Sequence, residues 1–481
     1  MLLTGLLYGV ALLIGLLVLG KFRSHKLRQC VLLLASYALY LTWGVWFGAV
    51  LLASTVMNYL VGRWLKRQPA AAVLWIGLAF NLALLAVFKY IPGIAVSIPV
   101  ASLQKFSHLA LPVGISFWTF QAMSYLLDLY RGEELDPSFV EFALYMAFFP
   151  VTISGPICRM PEMLPQFRSE KSVSRQDLGR GLCRIATGVL MMQMAQLLGK
   201  GILGGEGINS GFDHLTRWSG LDIWCLAFGY GLQLFFDFAG YSHVAIGAAQ
   251  MLGFTVPENF ARPFASTTPS IFWTRWHMSL SFWIRDYVFL PLAVLRREMW
   301  WRNLALVVSM ITFGLWHKGS LLFVLWGSYQ GMLLVLHRQS QALQRRLKWE
   351  PPAAIWTAIS WAVTITLISA GWILFRANSL PQATQMLAGV ASPASYLDHV
   401  LPKSLYLLVA GLAIAYAAVL FAINWLERYA ERMGTRSEIL EVMVRERWVW
   451  VAPMWAAASL LVVTMMERQS GGANVFMYRF F

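Results

Sequence analysis

Long stretches without a charged side chain are the feature that most constrains how this chain can fold. Residues 2–20 read LLTGLLYGVALLIGLLVLG and contain no acidic or basic residue. Such a run can cross a bilayer as a helix, because about 20 residues with a rise of about 1.5 Å each match the ~30 Å hydrocarbon core. The 481 residues are 58% hydrophobic and only 13% charged, which is too apolar for a water-soluble globule. The sequence therefore predicts an integral membrane protein.

Further apolar runs follow along the chain and set the predicted fold class. They lie near residues 2–20, 30–47, 48–62, 71–91, 109–127, 181–202, 221–252, 303–316, 319–336, 354–376, 404–425 and 448–466. We predict an all-α, polytopic membrane protein with about 11–13 transmembrane helices around a central tunnel. Segments 138–158 and 271–295 are interrupted by proline, glycine or charge, which favours re-entrant or interfacial helices. No stretch of the size of a soluble domain is left over, so we expect residues 1–481 to form one membrane-embedded domain.

The net charge is +15, and the basic residues lie where they would determine the orientation of the helices in the membrane. Lysine and arginine cluster in short segments between the apolar runs, as they do in cytoplasmic loops. Placing these clusters in the cytoplasm is self-consistent if both termini lie outside. A secretory signal carries its basic residues before the apolar run, whereas Lys21 and Arg23 follow the first one, so we expect that run to remain as a span. No nucleic-acid-binding motif stands out, and we expect the lipid bilayer rather than nucleic acid as the partner of this charge.

Cysteine usage indicates neither a disulfide framework nor a metal site. Cys30, Cys158, Cys183 and Cys225 lie within or beside apolar runs without CxxC spacing, so we expect no zinc and no other metal. Any chemistry must then use groups inside or at the edge of the membrane. Ionisable residues at that depth are costly and usually face a protein or water-filled interior, and they are the natural candidates.

The first polar cluster lies in SIFWTRWHMSLSFWIRDYVFLPL. If this segment is one helix, His277, Ser281 and Arg285 share a polar face, and Arg275 and Asp286 lie on another. One interpretation is an interfacial helix with aromatic anchors and snorkelling arginines. The other is a tunnel wall in which a neutral histidine backed by arginine holds a phosphate or an acyl-thioester arm.

The second cluster lies in GYGLQLFFDFAGYSHVAIGAAQMLGF. Gln233, Asp237 and Tyr241 share a helical face, with His243 nearby, in a segment long and glycine-rich enough to be tilted or broken. Asp237 could be a structural counter-ion for a buried arginine or could take part in catalysis. A third segment, FFPVTISGPICRMPEMLPQF, has its helix broken by proline and glycine, and we expect it to lie beside a cavity.

A histidine and a lysine stand side by side in ITFGLWHKGS. A lone histidine in an apolar run can be a satisfied packing residue. However, Gly314 and Gly319 flank His317, and the apolar segments on either side are each short for a span. This pattern favours a helix break or hairpin that places His317 against an opening.

Six blocks, taken in order, resemble the membrane-bound O-acyltransferase family in its bacterial, alginate O-acetyltransferase-like branch. The blocks are LPVGISFWTFQAMSYLLDLYRG, FFPVTISGPICR, FDFAGYSHVAIGAAQMLGF, PENFARPF, FWTRWHMSLSFWIRDYVFLPL and FGLWHKGSLLFVLWG. They cover residues from about 111 to 331, which would form the family core, with peripheral helices in 1–100 and 350–481. The terminal VFMYRFF resembles the aromatic C-terminus of alginate-type members.

The resemblance implies a function and a role for each candidate residue. His317 matches the essential histidine of the family and His277 its second motif histidine, and a neutral imidazole with an unperturbed pKa near ~6.5 is a competent base at neutral pH. Arg275, Ser281 and Arg285 become candidate contacts of the acyl donor. Polar residues assigned to the tunnel or to structural support are Asp237, Tyr241 and Asp286.

The implied activity is transfer of a small acyl group, most simply acetyl, from a cytoplasmic thioester towards a hydroxyl of an extracytoplasmic polysaccharide. The donor would be acetyl-CoA or an acyl carrier protein thioester, with no permanently bound cofactor. An extracytoplasmic SGNH-like acetyltransferase is the expected partner, and the bacterial cytoplasmic (inner) membrane the expected location. Two alternatives stay open. One is direct O-acylation of a teichoic acid, lipid or peptide, as in the D-alanyl transferases; the other is a transporter without covalent chemistry.

The chain departs from the family pattern at three positions. Lys318 stands where WHGA is usual, His243 stands where aspartate follows GYS, and Val151 stands where glutamine often follows FFP. These departures leave both histidines in place. They bear on the identity of the donor and the acceptor, and Lys318 could attract an acidic acceptor or simply extend outward.

Overall fold

The computed structural model describes residues 2–21, 24–93, 109–169, 173–201, 206–214, 217–348 and 352–433. In these ranges the regular secondary structure is helical, without a β-strand. Among them, the helices long and apolar enough to cross a membrane number six. They are Val45–Arg67, Ala71–Gly93, Arg175–Lys200, Gly220–Met251, Ala353–Arg376 and Lys403–Ala422. The prediction of an all-α polytopic membrane protein is confirmed. The span near 448–466 and the VFMYRFF terminus lie outside the described residues.

The chain divides into two compact units. The first comprises residues 1–185 and 244–258. Its helices are α1 (Leu2–Lys21), α2 (His25–Leu41), α3 (Val45–Arg67), α4 (Ala71–Leu85, continued by a π-helical turn, Ala86–Tyr90), α5 (Ile115–Tyr130), α6 (Phe139–Ala147) and α7 (Met160–Arg168). Helix α8 (Arg175–Lys200) contributes residues to both units.

Helix α5 is central to the first unit, because its apolar, aromatic and polar residues alike are buried along nearly its whole length. It packs against α3 and α4. It begins at Ile115 and not near residue 109, since Gly114 adopts a left-handed φ of 73°. A Cβ at Gly114 would lie 2.0 Å from the carbonyl oxygen of Thr152, so only glycine fits at this approach.

The segment 138–158, which is predicted to be re-entrant or interfacial, contains a helix that ends at Ala147. Helix α6 starts with a capping box, in which Ser138 accepts from the backbone N–H of Glu141 and the Glu141 carboxylate accepts from that of Ser138. An irregular stretch then leads to α7, and the backbone around Val151 is buried in protein. A cavity of about 240 Å³ in this unit is lined by Leu144 of α6 and by Gln166 and Phe167, which end the segment FFPVTISGPICRMPEMLPQF.

The second unit comprises residues 186–243 and those from 259 onwards. Its helices are α9 (Ile208–Asp213), α10 (Gly220–Met251, whose end belongs to the first unit), α11 (Pro269–Trp273), α12 (Met278–Ile284), α13 (Leu290–Val294), α14 (Met299–His317), α15 (Leu321–Arg346), α16 (Ala353–Arg376), α17 (Leu380–Ala391) and α18 (Lys403–Met433). Short 3-10 turns occur at Pro263–Ala265 and Pro393–Leu397, and a π-helical turn at Arg285–Phe289.

The structure decides two sequence expectations about this unit. Helix α10, expected to be tilted or broken, is one continuous helix of 32 residues without a break at its glycines. The segment 271–295 is not one helix, because the chain leaves α11 after Trp273 and re-enters a helix only at Met278. Between them His277 has φ 43° and ψ 54°, a left-handed conformation that a continuous helix cannot contain.

Candidate active site

His317 is the last residue of α14, at the tip of a helical hairpin formed with α15. The two helices approach closely, because a Cβ at Gly314 would lie 2.2 Å from the carbonyl oxygen of Phe323 and one at Gly327 would lie 2.4 Å from that of Met310. The prediction of a helix break or hairpin at His317 is therefore confirmed.

The imidazole of His317 is buried among aromatic rings. Its centroid lies 5.3 Å from that of Phe313, 5.0 Å from that of Phe375 and 4.8 Å from that of Trp316. The ring of Trp326 packs edge-on to it at 5.7 Å. These rings exclude water from one of the few polar groups in the region, which strengthens any electrostatic interaction that the imidazole makes.

Lys318 differs from its neighbour in both backbone and exposure. The helix ends here, since Lys318 has φ −155° and ψ 134°. His317 is buried and Lys318 is exposed. The lysine therefore does not share the aromatic surroundings of the histidine, as the geometry of adjacent residues predicts.

His277 is 1% exposed and contacts two of the aromatic residues around His317. Its ring centroid lies 4.5 Å from that of Phe238, 6.2 Å from that of Phe313 and 5.9 Å from that of Trp316. Phe313 and Trp316 thus contact both histidines. The structure brings His277 and His317 into one aromatic cluster, although 40 residues separate them in the sequence.

Asn259 is a site residue that the sequence analysis did not single out. Its side chain is fully buried, and its Oδ1 lies 3.1 Å from Nδ1 of His277. It stands in the PENF block, where an asparagine is also an ordinary turn residue. The block therefore marked the region, but nothing in the residue type indicated a contact with a histidine.

The candidate donor residues are arranged differently from the predicted stripe. Ser281 donates through Oγ to the carbonyl oxygen of Trp276 at 3.0 Å. Arg285 is exposed and donates to the carboxylate of Asp286 at 2.7 Å. Arg275 is half-buried, with a guanidinium nitrogen 3.5 Å from the carbonyl oxygen of Ala265. Arg285 is thus engaged with Asp286 and is not stacked two turns beyond His277 on a shared helical face.

Asp237 is 5% exposed, on the buried middle of α10. The described ranges show no ion pair between Asp237 and an arginine, and its role as a structural counter-ion or in catalysis stays a prediction. The next residue, Phe238, packs on His277. Tyr241 and His243 are partly buried on the same helix. On α10, Asp237 therefore directly precedes the residue that packs on His277, and Tyr241 lies one turn further along the helix.

Two buried indole groups near His317 have unused hydrogen-bond donors. Trp326 and Trp372 are each 1% exposed, and Nε1 of each has no hydrogen-bond partner in the described part of the chain. Trp372 packs on Phe375, one of the rings around His317. An unpaired N–H in a dry site costs free energy, so an oxygen atom of a bound ligand would be favourable at such a position.

No group of three or more His, Cys, Asp or Glu side chains that could hold a metal ion occurs within the ranges described. The charged and polar groups around the histidines are few, and the walls are aromatic. Such an arrangement suits proton transfer and the binding of an apolar group.

A helical membrane protein with two histidines buried in one aromatic cluster agrees with the class that the sequence blocks indicated. The family model for MBOAT, the membrane-bound O-acyltransferase family, matches residues 36–376. The chain belongs to the membrane-bound O-acyltransferase family, and it is an O-acyltransferase. The family prediction from the sequence is confirmed.

Curated relatives include enzymes with three kinds of name. The probable alginate O-acetylase AlgI of Pseudomonas putida is 32% identical over 417 residues, covering 83% of this chain and 82% of the relative. The peptidoglycan O-acetyltransferase of Helicobacter pylori is 31% identical over 416 residues, covering 78% of this chain and 76% of the relative. The teichoic acid D-alanyltransferase of Bacillus subtilis is 30% identical over 279 residues, covering 55% of this chain and 68% of the relative.

Proposed function

We propose that this protein transfers an acetyl group from a cytoplasmic thioester, across the membrane, to a hydroxyl of an extracytoplasmic polysaccharide. The names of two relatives that each match more than three quarters of this chain support acetyl as the group. The single observation that carries the proposal is the pair of buried histidines contacting the same Phe313 and Trp316.

His317 is the general base in this proposal. It takes the proton of the acceptor hydroxyl while the hydroxyl oxygen bonds to the thioester carbonyl carbon. The carbon–sulfur bond then breaks, and the proton passes from the imidazolium to the leaving thiolate. The products are an ester and a free thiol, and His317 returns to its neutral form. A histidine among aromatic rings suits this cycle, because the site offers no solvent to stabilise a permanent charge.

The negative charge on the carbonyl oxygen of the intermediate needs hydrogen-bond donors in place beforehand. Nε1 of Trp326, which has no hydrogen-bond partner among the described residues, is the best candidate, since its ring packs edge-on to His317. Nε1 of Trp372 is a second candidate, one ring further from the histidine. An oxygen accepting from either group would relieve the cost of a buried, unpaired N–H.

The donor-binding residues remain those expected from the sequence. Arg275, Ser281 and Arg285 are proposed to contact the phosphates or the arm of the thioester. Arg285 would exchange its bond to Asp286 for one to a phosphate, and its exposure favours that role. Asp237 and Tyr241 are proposed as polar support for the substrate passage. Acetyl-CoA and an acetylated carrier protein are the two donors to compare.

We also propose an extracytoplasmic SGNH-like acetyltransferase as a partner and the bacterial inner membrane as the location. Outside the helices, no described segment has the size of a soluble domain, and in this proposal a separate protein carries the acetyl group to a bulky polymer. In this proposal residues 1–481 act as one membrane-embedded domain. A second candidate function is direct acylation of a teichoic acid, which the Bacillus subtilis relative supports over 55% of this chain.

The test uses purified protein in sealed vesicles with radiolabelled acetyl groups on CoA or on a carrier protein. We expect thioester turnover with an added sugar or polysaccharide hydroxyl acceptor, and none with His317→Gln. Turnover that requires a D-alanyl carrier protein and a polyol phosphate acceptor would favour the second candidate instead. Acceptor movement across the vesicle membrane without thioester cleavage would reject acyl transfer and favour a transporter.

A further inference from the structure

Asn259 makes a set of hydrogen bonds that defines how its own amide group is oriented. Its Oδ1 accepts from the backbone N–H of Ser279 at 3.2 Å and from the Ser279 hydroxyl at 2.9 Å. A backbone N–H can only donate, so the atom that faces it must be the amide oxygen and not the amide nitrogen. On the opposite side, Nδ2 of Asn259 donates to Oγ of Ser242 at 3.2 Å.

The orientation of Asn259 determines which nitrogen of His277 carries the proton. The same Oδ1 lies 3.1 Å from Nδ1 of His277. Because an amide oxygen accepts and does not donate, Nδ1 must be the protonated nitrogen of this pair. In a neutral imidazole the second nitrogen, Nε2, then carries the lone pair.

The backbone holds both residues in this relationship. The carbonyl oxygen of Asn259 accepts from the N–H of Met278 at 2.9 Å, and the N–H of Ala261 donates to the carbonyl oxygen of Arg275 at 3.0 Å. These bonds connect the PENF segment to the turn that contains His277. The left-handed φ of 43° at His277 lies within this turn.

We propose that Asn259 is a positioning residue that holds His277 in the Nδ1–H tautomer, so that Nε2 presents a lone pair within the aromatic cluster that His277 shares with His317. In this form Nε2 accepts a hydrogen bond and cannot donate one to a carbonyl oxygen. The group it binds is therefore a hydrogen-bond donor, such as the acceptor hydroxyl or an amide N–H of the thioester arm. The two histidines then have separate tasks, and the oxyanion donors come from elsewhere.

The tautomer is a property of the folded protein, whereas its effect on turnover depends on the proposed acyl transfer. The first measurement is therefore spectroscopic and needs no substrate. Protein labelled with 15N-histidine in lipid vesicles gives ring-nitrogen shifts that distinguish a protonated nitrogen from one with a lone pair, and His277→Gln identifies the signals. We expect protonated Nδ1 and a lone pair on Nε2 in the wild type. The reverse assignment would overturn the proposal.

Variants of Asn259 separate positioning from general stability. Asn259→Asp keeps an acceptor oxygen at the same place, so Nδ1 should stay protonated. Asn259→Leu has a similar size but no acceptor. The Nδ1–H tautomer of His277 should then no longer predominate over the Nε2–H tautomer, and turnover should fall at least about 10²-fold. Asn58→Leu is the matched control, because Asn58 is also fully buried and bonded to Asn81, in the first unit. It should lower the melting temperature and leave the His277 signals unchanged.

Each outcome decides the proposal. Loss of the tautomer together with turnover in Asn259→Leu supports it, as does retention of both in Asn259→Asp. A folded Asn259→Leu protein with the wild-type tautomer, or with the tautomer lost and turnover unchanged, would overturn it. If Asn259→Leu fails to fold, the wild-type spectrum and Asn259→Asp still decide. Absence of thioester turnover in the wild type with any donor would reject the proposed function and leave the tautomer result standing.

Discussion

The ring of Phe313 stacks on the imidazole of His317, with centroids 5.3 Å apart and planes inclined by 16°. Phe313 lies one turn before His317 in α14, and its ring also contacts His277 with a centroid distance of 6.2 Å. The ring of Phe313 therefore contacts two histidines that belong to different segments of the chain. The predictions below test what this arrangement does.

Removal of the imidazole of His317 should abolish turnover while leaving the fold intact. His317→Gln keeps a polar side chain at the helix end but cannot accept and return a proton as imidazole does. We expect acyl transfer to fall about 10²- to 10⁴-fold, measured as release of free thiol from the donor. His337→Gln, on the other helix of the hairpin, is the control and should retain turnover. Near-normal rates for His317→Gln would remove His317 from the role of base.

Trp326→Phe tests the proposed oxyanion donor. The substitution keeps an aromatic ring against His317 and removes only the indole N–H with part of the ring. We expect kcat to fall by about 10- to 10³-fold with a smaller change in KM, because the lost bond forms chiefly in the transition state. Trp118→Phe is the matched control, since Trp118 is also a fully buried indole, in the first unit. If kcat falls by the same factor in both variants, the loss reflects reduced stability of the protein and not a missing oxyanion donor.

Lys318→Gly restores the family-like WHG and removes an exposed charge next to His317. We expect thioester hydrolysis to persist and transfer to an anionic acceptor to weaken, because a cation near the site raises the local concentration of anions. Raised salt should weaken wild-type transfer in the same way, since exposed charges are screened. Equal transfer by wild type and variant at low salt would leave Lys318 as a tolerated departure without a steering role.

Glu141 should make the stability of the protein depend on pH in the acidic range. It lies outside the six candidate spans. Burial opposes ionisation, but hydrogen bonds from Arg168 and from Ser138 outweigh it and lower the pKa of Glu141 from 4.5 to about 2. A carboxyl whose pKa is lowered on folding stabilises the fold above the unfolded value, and this contribution is lost as the pH falls from about 4.5 towards 2.

The measurement is the melting temperature in detergent from neutral pH down to about pH 3. Glu141→Gln retains an acceptor for the capping box but cannot ionise. The variant should be less stable than the wild type at neutral pH, and the gap should narrow as the pH falls. A constant gap over this range would show that the Glu141–Arg168 pair does not contribute through its charge.

The local order of apolar residues and glycines was enough to predict most helices and the hairpin at His317. Apolar runs predict where most helices lie, because the hydrocarbon core demands about 20 apolar residues for each crossing. Gly314 and Gly319 predict the hairpin at His317, and α14 does end there. The sequence blocks likewise predict the family. These properties depend on residues near one another in the chain.

The presence of glycine, however, did not show whether a helix is broken there or is closely packed against a neighbouring helix. The glycines of α10 suggest a tilted or broken helix, and the structure has a continuous one. A Cβ at Gly231 would lie 2.7 Å from Nε1 of Trp372, and one at Gly240 would lie 2.7 Å from the carbonyl oxygen of Gly188. These glycines serve the packing of neighbouring helices, which a single segment cannot reveal.

The sequence by itself determined a helical membrane protein of this family with His317 at the end of a hairpin helix. Only the tertiary structure decided the surroundings of His277. The predicted stripe with Ser281 and Arg285 assumes a helix from 271 onwards, but Asn259, 18 residues earlier, binds both the backbone and the ring at this turn. A short-range pattern carries no information about such a partner. The tautomer of His277 and the rings around both histidines therefore follow from contacts between segments that are distant in the chain.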